Sequence, residues 1–229
     1  MIMQLLGAPL SPFIKKVRIV AAEKAIDYDY DPRPSPLGWP EGFERINPLK
    51  RIPALLPDPS NPDYAINDSS AICAYLDRLK PEPALFPAEA EALGRALWIE
   101  EFCDSELAAK AGMGVFRPVF FNIATGKAAD YEAAKVGFEG LAGTLLTYLE
   151  KQLDGKTWFA GDGFSIADIA TTCQLYNLSF VGFDVPAARF PNLAAHYQRC
   201  SGRPSMAGLI ANDQAFVAKA GFELPKQEL

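Results

Sequence analysis

The chain has 229 residues, of which 49% are apolar and 22% charged, with a formal net charge of −6. That is enough apolar material for one large or two small cores, and the acidic balance excludes the basic field with which nucleic-acid-binding proteins neutralise phosphates. Met1 to Leu6 are mostly apolar but follow no positive segment, and Pro9 and Pro12 interrupt the run, so no signal core or membrane span is expected and the expected location is cytoplasmic.

In chain order, Ile2–Leu6 reads as a strand, Pro12–Lys24 as a helix with Phe13, Val17, Val20 and Ala21 on one face, and Tyr28–Asp31 as a short strand, a βαβ opening. The proline-rich "PRPSPLGWP" leads to a short helix around Glu41–Ile46. "RIPALLPDPSNPDYAIND" then reads as two short strands joined by a loop and suited to antiparallel pairing, and Ser69–Leu79 resumes helical spacing. "RLKPEPALFPAEA" carries three prolines and reads as a linker. Beyond it only helical patterns stand out, at about 90–111, 131–153, 165–178 and 193–201, with shorter ones near Phe116 and Met206. The expected organisation is an α/β domain at 1–80, a linker at 81–90 and an all-helical domain at 91–229.

The four cysteines, at 73, 103, 173 and 200, never approach C-x-x-C spacing and read as buried reduced thiols. With one histidine, His196, and no paired ligands, no metal site is expected; that histidine is expected to pack or to face water.

Four polar motifs stand at element boundaries. In "APLSPFIKKVRIVAAEK" Ser11 is a good N-cap and Pro12 a good first helical residue, and the same place suits a hydroxyl that donates to a bound thiolate, because a helix N-terminus favours an anion. Thiols at such sites have lowered pKa values. In "NPLKRIPALL", Pro53 before an apolar strand is either a trans edge proline or a cis proline that turns the Ile52 backbone outward, where an extended peptide can pair with it. In "INDSSAICAYL", Asp68 and Ser69 at a helix mouth are either caps or a grip on an α-amino acid head group, the acid on the ammonium and the hydroxyl on the carboxylate. In "GDGFSIADIAT", Ser165 and Asp168 form a capping box, with Phe164 placed to staple to Ile169.

Taken together and in this order, "SPFIKKVRI", "NPLKRIPAL", "DSSAI", "FAGDGFSIADIA" and "FPNLAAHYQRCSGRPSM" resemble the glutathione transferase superfamily over nearly the whole chain. The resemblance implies a thioredoxin-like α/β N-terminal domain and an all-α C-terminal domain. It implies a serine-type, bacterial-like cytosolic glutathione transferase, a cytoplasmic homodimer that takes part in detoxification and binds neither nucleic acid nor membrane. Ser11 would hold the glutathione sulfur, Phe13 in the first turn beside it would bind glutathione too, Ile52 and Pro53 would meet the cysteinyl unit, and Lys50 would approach the glycyl carboxylate. Asp68 and Ser69 would grip the γ-glutamyl end, joined by Asp104 from the second subunit. Glutathione would be a co-substrate, with no metal, and attack a small apolar electrophile lined by Pro9, Leu10, Phe116 and Phe120.

The chain departs from the family pattern at Lys50, where glycine or histidine is common, and at Asp68, where glutamate or glutamine is commoner. It has no cysteine near Ser11, which disfavours thiol reduction through a mixed disulfide. The same thiolate would serve a lyase or etherase, an isomerase, a dehalogenase or a peroxidase, and a non-catalytic ligand-binding member of the fold is a further alternative.

Overall fold

The structure, a computed structural model, describes residues 2–219. Residues 220–229 of the expected helical domain lie outside them. The chain divides into two compact units, Met1–Phe86 and Pro87–Leu229.

In the first unit strand β1 (Met3–Leu6) leads through helix α1 (Pro12–Glu23) to β2 (Tyr28–Asp31), and a short helix α2 (Phe43–Ile46) precedes β3 (Ala54–Leu56), β4 (Ile66–Asn67) and helix α3 (Ser69–Leu79). The sheet order is β2-β1-β3-β4, with β1 parallel to β2 and the other pairings antiparallel. This is the expected thioredoxin-like arrangement. A parallel pair needs a crossover, which α1 supplies; its buried face carries Ile14, Val17, Val20 and Ala21, and Leu5 and Leu55 in the central strands are buried too. On the other side of the sheet Leu6, Phe43, Ala54 and Leu56 form a cluster joined by Trp39, Ile46, Ile52 and Ala65, with Trp39 stacked on Phe43 at 5.1 Å.

Residues 81–86, read from sequence as part of a linker, group with this unit. Lys24, 0% exposed at the end of α1, donates to the carbonyl oxygens of Lys80 and Pro83 at 2.8 Å each and pairs with Asp77 at 2.6 Å. Asp77 in turn accepts the Leu85 N–H. A buried ammonium is costly unless its protons are used, and here the chain after α3 is wrapped around it.

The second unit is helical. Sequence periodicity ends a first helix near Ala111 and starts another near Phe116; the structure instead has one continuous helix, α4 (90–124). It absorbs its breakers by widening, with π-helical turns at Cys103–Leu107 and Gly112–Phe121, the second containing Pro118. Proline has no N–H for the carbonyl four residues back and clashes with it, and a wider turn relieves both problems. Helix α5 (131–152) has a similar turn at Ala142–Leu146.

Helix α6 (Ile166–Phe180) is buried on every side from Ile166 to Leu178. Helix α7 (Pro191–Ser201) follows, then α8 (Pro204–Lys219), which is longer than the short helix expected near Met206. The expected box at the start of α6 is present: Asp168 accepts from Ser165 N at 2.8 Å. Its carboxylate also accepts from Phe159 N at 3.1 Å and from His196 Nε2 at 2.8 Å. The lone histidine is thus buried, and it joins α7 to the cap of α6. Phe164 packs on Trp158 and lies under Arg203.

Candidate active site

Three chain segments meet at one end of the sheet. Leu6, the last residue of β1, pairs with Ala54, the first of β3, and Ala54 pairs with Asn67, the last of β4. The loop after β1, the peptide before β3 and the residue after β4 therefore emerge side by side. These segments carry Ser11, Ile52 with Pro53, and Asp68 with Ser69.

Ser11 is the N-cap of α1, extended at φ −67° and ψ 127°, with Pro12 in the first turn. Its hydroxyl oxygen accepts from Ile14 N at 3.5 Å, at the long limit of a hydrogen bond. Among the described residues no acceptor takes the hydroxyl proton. The side chain is partly exposed, as is Phe13 beside it. Pro9 is partly exposed and Leu10 buried.

The Ser11 loop is fixed by its backbone oxygens. Tyr30 Oη donates to Gly7 O at 2.7 Å, Ser11 N to Ala8 O at 3.2 Å, and Lys15 Nζ to Pro9 O at 3.1 Å. Gly7 also donates to Asp31 O at 2.9 Å. Gly7 adopts φ +144°, and a Cβ there would stand 2.9 Å from the Ile52 Cβ. The two loops touch at this glycine.

The Ile52–Pro53 peptide is cis, as the family resemblance implied. Upstream, the buried side chain of Asn47 builds the turn: Nδ2 donates to Arg51 O, and Oδ1 accepts from Leu49 N, each at 3.0 Å. Lys50 stands exposed on this turn in the left-handed region, φ 48°, its ammonium 3.7 Å from Glu44.

Asp68 caps α3 by accepting from Ser70 N at 2.8 Å. Its backbone, at φ 82° and ψ 135°, is strained for a residue with a side chain, a cost of order ~1–3 kcal/mol that clusters at functional sites. Ser69 is buried, and Lys16 Nζ donates to Ser70 Oγ at 3.0 Å, tying α1 to the mouth of α3. Next to the site, a two-pronged bond from Arg33 holds the Asp31 carboxyl below the usual carboxylate range.

The remaining expected residues lie in the helical unit. Asp104 is partly exposed in the wide turn at Cys103–Leu107. Phe116 and Phe120 are buried, their rings 5.1 Å apart and both against Phe180, so core packing is the first role of each. All four cysteines are buried thiols that form no disulfide among the described residues. Among the described residues no group of three or more His, Cys, Asp or Glu side chains is placed to hold a metal ion, and no helix is long and apolar enough to cross a membrane.

Sequence reasoning missed Gly7, Lys15, Tyr30 and Asn47. Only Asn47 left a local signal, an asparagine before a proline at a strand entry, where an Asx turn is expected.

A small thioredoxin-like sheet followed in the chain by an all-helical unit is the architecture of the glutathione transferase fold. Family models for the N-terminal and C-terminal domains of glutathione S-transferase match residues 5–84 and 108–204. A solved glutathione S-transferase from Methylobacillus flagellatus, with glutathione bound, is 31% identical, covers 90% of this chain and 98% of its own, and superposes with a TM-score of 0.71. A glutathione S-transferase of Triticum aestivum is 27% identical over 92% of this chain and 93% of its own. The FtsZ-localized protein A of Caulobacter vibrioides is 27% identical over 89% of each. The chain belongs to the glutathione transferase superfamily.

Proposed function

We propose that the protein is a serine-type glutathione transferase, in which Ser11 donates a hydrogen bond to the sulfur of bound glutathione and holds it as a thiolate for attack on a small apolar electrophile. The observation that carries this reading is the Ser11 hydroxyl at the N-terminus of α1, whose proton no acceptor takes among the described residues. There the unpaired N–H groups and the hydroxyl act together on an anion. Glutathione bound in the Methylobacillus flagellatus relative supports glutathione as the co-substrate.

In this reading the Ile52 backbone beside Pro53 pairs with the cysteinyl unit, Asp68 and Ser69 hold the γ-glutamyl head group, and Lys50 meets the glycyl carboxylate. Pro9 and Leu10 form a wall against the electrophile. A second copy of the chain would lend Asp104 to the γ-glutamyl amine, in a cytoplasmic homodimer. Catalysis comes from thiolate stabilisation and from holding two reactants together.

Titrating the thiolate absorbance of glutathione bound to the purified protein tests the reading. The bound thiol should ionise at least one pH unit below free glutathione, each unit being about 1.4 kcal/mol in favour of the thiolate. Ser11→Ala should move it back toward the free value and lower kcat/KM by about 100- to 1000-fold, the range for losing one donor to a developing anion. Binding without a shift overturns the reading. It would favour a non-catalytic ligand-binding member of the fold.

A further inference from the structure

We propose that Tyr30 and Lys15 are positioning residues for Ser11, acting through the backbone carbonyls of the loop that carries it. This rests on the reading of Ser11 as the thiolate donor. The loop from Gly7 to Ser11 turns from β1 into α1 with almost no ladder bonds of its own, so something else must fix its peptide planes. Two side chains from outside the loop bond to it. Tyr30, on the edge strand β2, reaches Gly7 O just past the end of β1 at 2.7 Å, and Lys15, one turn into α1, folds back to Pro9 O at 3.1 Å.

Neither placement is what the residue type would choose by itself. A tyrosine on an edge strand keeps its hydroxyl hydrated at no cost, and a lysine ammonium belongs in water. Lys15 is 1% exposed. Taking an ammonium out of water costs several kcal/mol unless its protons are used, and a loop carbonyl is one of the acceptors it gains. Tyr30 is itself braced, with the Arg18 guanidinium 4.8 Å above its ring.

The planarity of the peptide converts these bonds into orientation. With Gly7 O drawn toward Tyr30, the Ala8 N–H must point the opposite way, and Ala8 O is left facing Ser11 N, which donates to it. The backbone of Ser11 is thereby set, and with it the direction of Cβ and Oγ. Gly7 cannot relax, because Ile14 and Ile52 fill the space on its side-chain face. Losing either clamp should leave glutathione held by its other contacts while the hydroxyl loses its aim at the sulfur.

Tyr30→Phe is the direct test, because it removes one hydroxyl from a partly exposed ring. Tyr28→Phe is the control: Tyr28 Oη takes a bond from Arg18 at 3.3 Å and leaves the Gly7 O bond in place. Expected for Tyr30→Phe is a bound-thiol pKa moved part of the way back to that of free glutathione and a kcat lowered about 3- to 10-fold, the size of one hydrogen bond, with KM for glutathione within about 2-fold of the parent. Tyr28→Phe should move neither. Lys15→Met should act in the same direction as Tyr30→Phe, with Lys15→Arg recovering part of the loss.

A Tyr30→Phe protein with unchanged thiol pKa and kcat, beside a Ser11→Ala protein that loses both, overturns the proposal and leaves the function standing. Equal losses of melting temperature and of kcat in the Tyr30 and Tyr28 variants also overturn it, since general weakening of β2 would then explain the effect. A parent protein that binds glutathione with no shift for Ser11→Ala to reverse overturns the function and the proposal together.

Discussion

At Gly7 an added methyl group would stand 2.5 Å from Ile14 Cδ1 and 2.9 Å from the Ile52 Cβ, on a backbone whose φ of +144° already disfavours any side chain. The Ile14 methyl can swing aside, whereas the Ile52 Cβ moves only with its backbone. Gly7→Ala should therefore cost about 2–4 kcal/mol, read as a lowered urea midpoint. Lys24 poses the opposite problem, a full site that one substitution would empty. Lys24→Met keeps the stem and strands the carbonyls of Lys80 and Pro83 with the Asp77 carboxylate, and should cost about 2–4 kcal/mol by the same measurement.

The crossing of α4 with α5 depends on two glycines that are not equivalent. A Cβ on Gly137 would lie 2.3 Å from the Gly114 carbonyl oxygen, whereas a Cβ on Gly114 would lie 3.5 Å from the Gly137 Cα, an ordinary contact. Gly114 is also the residue four before Pro118, so its carbonyl cannot receive the usual helical N–H. It points instead at Gly137, where α5 has no side chain. Gly137→Ala should lower stability by about 1–3 kcal/mol by forcing the helices apart. Gly114→Ala should be neutral or gain up to about 1 kcal/mol from helix propensity. Chemical denaturation of the pair distinguishes a crowded crossing from a general need for glycine.

For the molecule as a whole, alkali weakens the helical unit. Burial pushes the Cys200 thiol from 9.0 up to about 12 and the Tyr197 phenol from 10.0 up to about 12; burial, then the charge of Asp213, raises Tyr176 as well. The fold keeps these groups neutral. Below pH 9 they are protonated in both states and their contribution is whole; above it the unfolded chain releases protons that the folded chain retains, and the balance slides toward unfolding. The urea midpoint should fall steadily as pH rises from 9 toward 12, and Cys200→Ala should flatten the first part of that fall.

The sequence by itself determined the order of elements, the division into an α/β and a helical part, and the caps at Ser11, Asp68 and Ser165. These depend on local chemistry: period-2 and period-3.6 patterns, proline at a helix start, a side-chain oxygen two or three residues before a helical N–H without a backbone partner. The tertiary structure decided whatever depends on a partner far along the chain. The periodicity stops near Ala111 and resumes near Phe116, because a single sequence does not show that a helix can widen around Gly112, Gly114 and Pro118 or that α5 offers a glycine for the displaced carbonyl. His196 read as a packing or surface residue because Asp168 is distant in sequence. Ser11 was legible as a cap in either role; the bonds that aim it come from Tyr30 on another strand and from a buried Lys15, and only the packing of β2, β1 and α1 against one another brings those donors to the loop.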